Sequence, residues 1–405
     1  MLECANAPIY RKVFTPFCRK YLEENSNLSP FAVLRSHIHE LTRMINNMQW
    51  KHHVSWYPVV PNPVISDVLT IGTHQVVIEV FKQIVHDELD RLEKLVKEEV
   101  LFGIELEELG ISCTFPEDMD NGDESTVGYG IFNSDGNDVL DNPDSDKFVK
   151  KMLEIGALGL QYRDGQLHFD QRLSISWSGI IHEVMALLYV MCHILAGLPG
   201  RGVEEQLMAL CNLAETRRHL YARAGTLHFN CNYHKGALST GIYKSIIRVL
   251  PYRVACILYI LIRIIRPIEV FPLLKFIVKP EKKTEMMKTY RSRVFASFGK
   301  AWDASRLSKI LMQWFKRHLG FEMGLRMFRH FATALERRYL TFQDSSNLHA
   351  QISHAADEQA GRTKETSERN YAVEKGTSSV ALSKQQLHRL VSEGWHKMFD
   401  IKTYL

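Results

Sequence analysis

The sequence has few cysteines, and none of them form the pairs that build zinc sites or redox motifs. Seven cysteines occur in 405 residues, their number is odd, and no two stand in a Cys-x-x-Cys arrangement. A chain of this length can bury a hydrophobic core without covalent or metal staples. We therefore expect a reducing, intracellular environment, no disulfide framework and no cofactor.

Long uninterrupted apolar runs are also lacking. The stretch Ile180–Leu198 contains His182 and Glu183, and the stretch Val254–Ile262 ends at Arg263. Both are too short or too polar to span a bilayer, so they predict buried helices and no membrane partner. Charges and prolines interrupt the first thirty residues, and no secretory signal is expected.

One segment has no basic residues at all. Between Pro116 and Asp146 there are ten Asp or Glu and no Lys or Arg, whereas Lys and Arg dominate from Gly241 to His330. The overall net charge is only +4. A basic region in such a chain favours a polyanionic partner, although a solvated surface would have the same composition.

The acidic segment lies within Cys113–Asp146, which is rich in Asp, Asn, Gly and Ser. This composition predicts a flexible linker or insertion over residues 113–146. A calcium loop is not expected, because the glycine and the closing glutamate of an EF-hand are missing.

The rest of the chain is typical of globular domains, with 45% hydrophobic and 24% charged residues. Helical spacing of apolar residues over Pro30–Met48 and His74–Ile104 predicts a helical domain over residues 1–112, with a proline-rich connection at Tyr57–Pro63. Helical patterns also dominate residues 147–382 and open the tail at 383–405. The predicted fold class is mainly α, of the α+β type.

Residues Arg217–Gly236 interrupt the helical pattern. Alternating apolar residues flank Ala224-Gly225, which predicts a β-hairpin with its turn at that pair. The hairpin also contains His228-x-x-Cys231-x-x-His234, a spacing like that of metal ligands. Residues three apart on a strand point to opposite faces, so no metal site is expected.

Several basic residues and one tyrosine follow each other in a suggestive order. Arg201 lies in GRGVEEQLMAL and Lys235 at the end of the predicted hairpin; Arg326 and Arg329 lie in RMFRHFATAL, and AGRTKETSERNY contains Arg362 and Tyr371. Each has an ordinary explanation by itself: Arg201 as a cap of the preceding helix, Lys235 as a turn lysine, Arg326 and Arg329 as partners of Glu322 or Glu336, and Tyr371 as a packing residue. The order is harder to explain in that way.

This order resembles the tyrosine recombinase (phage integrase-like) family over about residues 147–375. The first stretch is similar to the box in which a glutamate, here Glu204, follows the arginine by three residues. The second is similar to the His-x-x-Arg-His box, and in the third Tyr371 follows Arg362 by the interval of nine residues that separates a histidine from the nucleophile. Within the family the chain looks similar to recombinase-like regions beside helicase-like genes in fungal genomes, or to mobile-element members.

The resemblance implies DNA strand cleavage and rejoining through a covalent 3′-phosphotyrosine at Tyr371. Arg201 and Arg329 would stabilise the phosphorane transition state, and Lys235 would protonate the 5′-oxygen leaving group. Arg326 and Arg362 stand where the family has histidines, and an arginine donates hydrogen bonds but does not accept a proton. His330 and His234 are candidates for that missing base.

The resemblance further implies a nuclear protein whose partner is duplex DNA and whose N-terminal helices close a clamp around it. It implies self-association on DNA through the C-terminal helix, whose cap would be Ser383. The docking face would comprise Leu387, Leu390, Val391 and Trp395; the alternative is packing within the same chain. Two other functions stay open: a catalytically inactive DNA-binding remnant of a mobile element or helicase-linked protein, and a helical scaffold without a DNA role.

Overall fold

The structure is a computed structural model that describes residues 54–56, 67–116, 119–133, 138–231, 245–340, 346–360 and 383–405. The described part of the chain is mainly helical with small antiparallel sheets, which agrees with the predicted α+β class. The predicted helix at Pro30–Met48 and the connection at Tyr57–Pro63 lie outside the described residues.

The chain divides into two compact units that do not follow the predicted boundary after residue 112. Residues 1–58 and 69–75 form the first, and residues 59–68 and 76–405 form the second. Three strands form an antiparallel sheet in the order β1-β2-β3: Val54–Trp56 (β1), Val68–Ile71 (β2) and His74–Val77 (β3). The helical prediction is wrong for these strands, because Gly72 adopts a φ of 61° and reverses the chain between two short β-rich runs.

The helices that follow belong to the second unit. In chain order they are Ile78–Leu95 (α1), Pro143–Glu154 (α2), Gln171–Leu195 (α3), Gly202–Glu205 (α4), Tyr252–Tyr259 (α5), Arg266–Pro272 (α6), Lys283–Ser292 (α7), Ala304–Leu319 (α8), Leu325–Tyr339 (α9), Ser346–Gln359 (α10) and Lys384–Met398 (α11). Wider π-helical turns extend α1, α5 and α6 over Val96–Val100, Ile260–Ile265 and Leu273–Ile277. Single 3-10 turns lie at Leu106–Leu109, Ala157–Gly159 and Pro280–Lys282.

The strands of the second unit pair as neighbours in sequence. They are Gln161–Arg163 (β4), Gln166–His168 (β5), Leu220–Arg223 (β6), Thr226–Cys231 (β7), Ile246–Val249 (β8), Ala296–Ser297 (β9) and Lys300–Ala301 (β10). Strands β4 and β5 form a hairpin, as do β9 and β10, and the larger sheet has the order β6-β7-β8.

The predicted hairpin is confirmed. Tyr221 pairs with His228, and Ala224 and Gly225 form the two-residue turn with φ values of 49° and 78°. Positive φ at both turn positions matches the right-handed twist of the flanking strands. The sequence did not indicate the third strand, β8, which pairs antiparallel with β7.

Helix α1 begins later than the predicted His74–Ile104 helix, because β3 takes its first four residues. Its buried face has the spacing of Phe81, Val85, Leu89 and Leu92. Val76, Val80 and Ile84 are spaced four residues apart, which predicts that Val80 lies on the apolar face, but Val80 is 53% exposed. The predicted helical period was correct, but its phase was shifted by one residue at the start.

Helix α3 is the centre of the second unit and packs against helices α1, α5, α6 and α8. Among the described residues, α3 is the one helix long and apolar enough to cross a membrane, and most of that stretch is buried inside the protein. The expectation of a buried helix is confirmed for this stretch. A cluster of aromatic rings extends the core beside it, where Phe81 contacts Trp314, Phe315, Phe331 and Phe399.

The acidic segment is packed where the structure describes it, which contradicts a flexible linker. Phe115 and Ile131 are buried, and Asp120 accepts a hydrogen bond from Arg218 Nη2 at 2.5 Å. The Arg218 guanidinium lies over the rings of Tyr129 and Tyr221, at 4.7 and 4.3 Å from their centroids. Buried aromatic residues and a buried ion pair offset the polar composition that suggested disorder.

Helix α11 lies along the open edge of β8. The N–H of Ile247 donates to His388 Nδ1 at 3.3 Å, and the N–H of Val249 donates to Ser392 Oγ at 3.2 Å. The predicted Ser383 cap is confirmed, since its Oγ accepts the N–H of Gln386. Side chains of the helix thus satisfy an edge that would otherwise be free to pair with another chain.

The C-terminal helix therefore packs within its own chain. Val391 and Trp395 are fully buried, and Trp395 Nε1 donates to the carbonyl of Ile194 at 2.7 Å. The expectation that these residues dock on a neighbouring subunit is wrong, because their apolar surface is already covered by α3 and β8. Leu387 and Leu390 are half-buried.

Candidate functional site

Three of the six predicted site residues lie in the described part of the chain: Arg201, Arg326 and Arg329. Lys235, Arg362 and Tyr371 lie outside the described residues, as does the candidate base His234. The candidate site is therefore described through these three arginines and through the elements that precede Lys235, Arg362 and Tyr371 in the sequence.

Arg201 follows a tight glycine-containing loop between α3 and α4. Gly197 has a φ of 122°, and a Cβ atom there would lie 2.8 Å from Ser392 Oγ and 2.9 Å from Gln359 Oε1. Only glycine combines this backbone conformation with so close an approach. The loop is thereby pressed against α10 and α11 before it reaches Arg201.

Arg201 occupies the N-cap position of α4 and does not cap the end of α3. Its N–H donates to Glu204 Oε2 at 3.2 Å, and its side chain is half-buried. The next residue, Glu205, accepts hydrogen bonds from Tyr189 OH at 2.6 Å and from His193 Nδ1 at 2.7 Å. These buried bonds fix the short helix against α3, and burial beside Glu205 raises the pKa of Tyr189.

Arg248 belongs to the same cluster of arginines, but the sequence did not single it out. It lies on β8, is 4% exposed, and donates from Nε to the carbonyl of Leu198 at 2.7 Å. Its Nη2 also donates to the carbonyl of Gln359 and lies 3.7 Å from Glu204 Oε2. A single arginine inside the apolar run SIIRVL was the available signal, because a buried charge requires partners.

Gln359 joins the same elements through its amide. It is fully buried, and its Oε1 accepts the N–H of Leu198 at 3.1 Å. Its Nε2 donates to the carbonyls of Ile247 at 2.7 Å and His388 at 2.8 Å. The loop before Arg201, strand β8 and helix α11 thus meet at the last residue of α10.

Arg326 and Arg329 lie on α9, as predicted. Arg326 is exposed, and the half-buried Arg329 donates from Nη2 to the carbonyl of Ala360. A Cβ atom on Gly202 would lie 2.8 Å from Leu325 Cδ1, so the residues that adjoin Arg201 and Arg326 are packed together. His330, the other candidate base, is exposed on α9.

The alternative of an Arg326 or Arg329 pair with Glu322 finds no support in the contacts of Glu322. Its Oε1 lies 2.9 Å from Lys316 Nζ at the end of α8. Glu336, the other candidate partner, is buried on α9.

Two guanidinium groups therefore bind backbone carbonyls at the C-terminal end of α10. Arg248 contacts Gln359 and Arg329 contacts Ala360, where the helix macrodipole favours positive charge. Among the described residues, Arg248 Nη1 and Glu204 Oε1 are buried without hydrogen-bond partners. Buried polar atoms are nearly always paired, so these two atoms mark the cluster as unusual.

A buried carboxylate lies one residue before Gln359. Burial alone would raise the pKa of Glu358, but hydrogen bonds from His388 and Lys384 lower it to about 2. Glu358 Oε2 lies 3.0 Å from Lys384 Nζ. The carboxylate is therefore ionised and neutralised locally, and it ties the start of α11 to the end of α10.

The residues with metal-like spacing, for which no metal site was expected, are His228, Cys231 and His234. His228 and Cys231 are buried on β7, and His234 lies outside the described residues. In the ranges that the structure describes, no three His, Cys, Asp or Glu side chains are grouped so that they could hold a metal ion.

Comparison of the chain with protein-family models, with curated proteins and with solved structures finds no match in any of the three.

Proposed function

We propose that this protein cuts and rejoins DNA strands through a covalent 3′-phosphotyrosine at Tyr371. The observation that carries the proposal is the pair of guanidinium groups, of Arg248 and Arg329, that bind carbonyls at the end of α10, where Gln359 also holds the loop that leads to Arg201. The chain continues from the end of α10 directly into Gly361 and Arg362 and, nine residues later, reaches Tyr371.

The elements around the arginines suit phosphoryl chemistry. Guanidinium groups stay protonated at any working pH and offer planar pairs of donors to phosphate oxygens. Buried hydrogen bonds of Glu205 hold the short helix next to Arg201 against α3, so little reorganisation of that helix is needed when negative charge develops. Arg248 binds the carbonyls of Leu198 and Gln359 and pairs with Glu204, so it acts as a positioning residue.

Lys235 belongs to the connection between β7 and β8, and β8 carries Arg248. In the proposed reaction Lys235 protonates the 5′-oxygen as the phenolate of Tyr371 attacks phosphorus. The phosphodiester bond is exchanged for a phosphotyrosine bond, so rejoining needs neither ATP nor a metal. The finer architecture, a helical N-terminal domain that clamps DNA beside a recombinase-like catalytic domain, is part of the same proposal.

Trapping on a nicked suicide duplex tests the reaction. The wild type should form a protein–DNA adduct that survives denaturing electrophoresis. Tyr371→Phe should abolish the adduct and keep DNA binding. The matched variant Tyr404→Phe should still form the adduct. If Tyr371→Phe still forms the adduct, Tyr371 is not the nucleophile.

The arginine roles need a separate pair of variants. Arg329→Lys should lower the rate of adduct formation roughly 100-fold, as for loss of an oriented transition-state donor. Arg337→Lys, on an exposed position of the same helix, should leave the rate unchanged.

A catalytically inactive DNA-binding remnant is the second candidate, because Arg326 and Arg362 stand where the family it resembles has histidines, and an arginine cannot accept a proton from Tyr371. It predicts steeply salt-dependent DNA binding without any adduct. A scaffold without a DNA role predicts neither.

A further inference from the structure

A basic pocket lies between the β6–β7 hairpin and the start of α11. It has a volume of about 310 Å³, and its described lining contains Arg223, Arg389 and His228 beside Ser383, Gln385 and Gln386. None of the described lining residues is acidic. We propose that this pocket binds a phosphate group, and we call it the hairpin pocket.

The sheet places one cation and one imidazole at the pocket. Tyr221 pairs with His228 and Arg223 with Thr226, so Arg223 and His228 share one face of the sheet. Arg223 Nη1 donates to Gln385 Oε1 at 3.1 Å, and Arg389 Nη2 donates to the carbonyl of Arg223 at 3.0 Å. Each bond uses one N–H group of a guanidinium that has five, which leaves donors for an anion.

Helix α11 contributes its N-terminal end. The cap formed by Ser383 and Gln386 satisfies two of the first backbone N–H groups of a helix of 15 residues. The amides of Lys384 and Gln385 belong to the same first turn. N–H groups and the positive end of the macrodipole favour an anion at this position.

His228 is the second and independent sign of a ligand. It is 5% exposed, its ring stacks on Tyr221, and its Nδ1 has no hydrogen-bond partner among the described residues. Burial and the nearby guanidinium groups of Arg389, Arg223 and Arg218 lower the pKa of His228 to about 3. The imidazole is therefore neutral, and in the tautomer with its proton on Nδ1 it would donate a hydrogen bond to an oxyanion.

The phosphate could belong to a DNA backbone or be free in solution. The DNA source rests on the proposed function, because a duplex held at the arginine cluster would then be contacted at two places. The pocket itself does not depend on Tyr371.

The test compares a variant that lacks two positive charges in the pocket with a variant that lacks two positive charges elsewhere. The pocket variant is Arg223→Gln with Arg389→Gln, and its matched control is Lys397→Gln with Lys402→Gln, at exposed positions at the other end of α11 and just beyond it. Gln385→Glu is a second pocket variant, which places a carboxylate among the cations and suits the first turn of a helix.

Two measurements are made on each variant. Calorimetry measures the binding of inorganic phosphate, and DNA affinity is measured over a series of salt concentrations. If the phosphate belongs to DNA, both pocket variants should reduce the slope of log K against log salt by about 1 relative to the control. Loss of inorganic phosphate binding with an unchanged DNA slope supports a free phosphate as the ligand. If the protein does not bind inorganic phosphate and the slopes of all variants agree, the proposal is overturned.

The adduct assay keeps the two proposals apart. A slope difference without a Tyr371 adduct sustains the hairpin pocket and ends the strand-transfer proposal. If the adduct forms but the salt slopes of all variants are equal and no inorganic phosphate binds, the strand-transfer proposal is sustained and the hairpin pocket is rejected.

Discussion

Arg248 and Glu204 form a buried ion pair, with 3.7 Å between Nη2 and Oε2 and side chains 4% and 1% exposed. The pair connects β8 to α4, the short helix that begins after Arg201. Because Arg248 also binds the carbonyls of Leu198 and Gln359, one side chain sets the position of the Arg201 loop relative to the end of α10.

Replacing Arg248 with methionine should lower the free energy of unfolding by about 3–5 kcal/mol, because Glu204 would stay buried without its partner. Chemical denaturation of Arg248→Met, Glu204→Gln and the double variant measures the coupling. The double variant should lose less than the sum of the two single variants. Strict additivity would show that the pair does not interact.

Gly197 should tolerate no side chain. Gly197→Ala would bring a Cβ within 2.9 Å of Ser392 and Gln359 at a φ of 122°, and should lower the free energy of unfolding by about 1–3 kcal/mol. Gly179→Ala is the control, since Gly179 lies inside α3 with nothing within 4 Å of its Cβ position. That variant should be neutral or stabilising by up to about 1 kcal/mol. Equal thermal shifts in the two variants would contradict the close approach.

Two neighbouring arginines should differ sharply in the stability they confer. Arg218→Met removes a fully buried pair with Asp120 and should lower the free energy of unfolding by about 3–5 kcal/mol. Arg217→Met removes a 60% exposed partner of Glu124 and should lower it by less than about 1 kcal/mol. Limited proteolysis should then cut the acidic segment faster in Arg218→Met alone. Similar stability and cleavage in both variants would argue for a loose segment.

Glu269 should make the protein less stable as the pH rises. Burial raises the pKa of Glu269 from 4.5 to about 7, and Arg266 and Tyr290 only partly oppose this. The unfolded chain therefore loses this proton first. Stability from the protonated form is complete below about pH 4.5 and is lost as the pH rises through 7.

Relative to Glu269→Gln, the wild type should lose up to about 3 kcal/mol between pH 5 and 8. Thermal unfolding across that range measures the difference, with Glu281→Gln at an exposed position as the control. Parallel pH curves for the wild type and Glu269→Gln would refute the shift.

Local signals in the sequence predicted local structure well. The turn at Ala224-Gly225, the cap at Ser383 and the helix that contains Arg326 and Arg329 depend on residues close in the chain, and all three are confirmed. The strand pair around Gly72 also had a local signal, in VLTIGTHQVV, but helical spacing on either side obscured it.

Long-range contacts were beyond the sequence. Arg248 joins residues 50 positions before it and 111 after it, and no spacing rule connects such positions. The burial of Val391 and Trp395 against α3 and β8 has the same origin, since an apolar helix face does not specify the surface that covers it. The acidic segment was misjudged because composition does not reveal its partner Arg218.

The cover that α11 provides for β8 has a consequence during synthesis. The ribosome releases Ile246–Val249 well before it has made His388 and Ser392, so the N–H groups of Ile247 and Val249 bond to water in that interval. The edge of β8 is therefore covered only after the last helix has been synthesised.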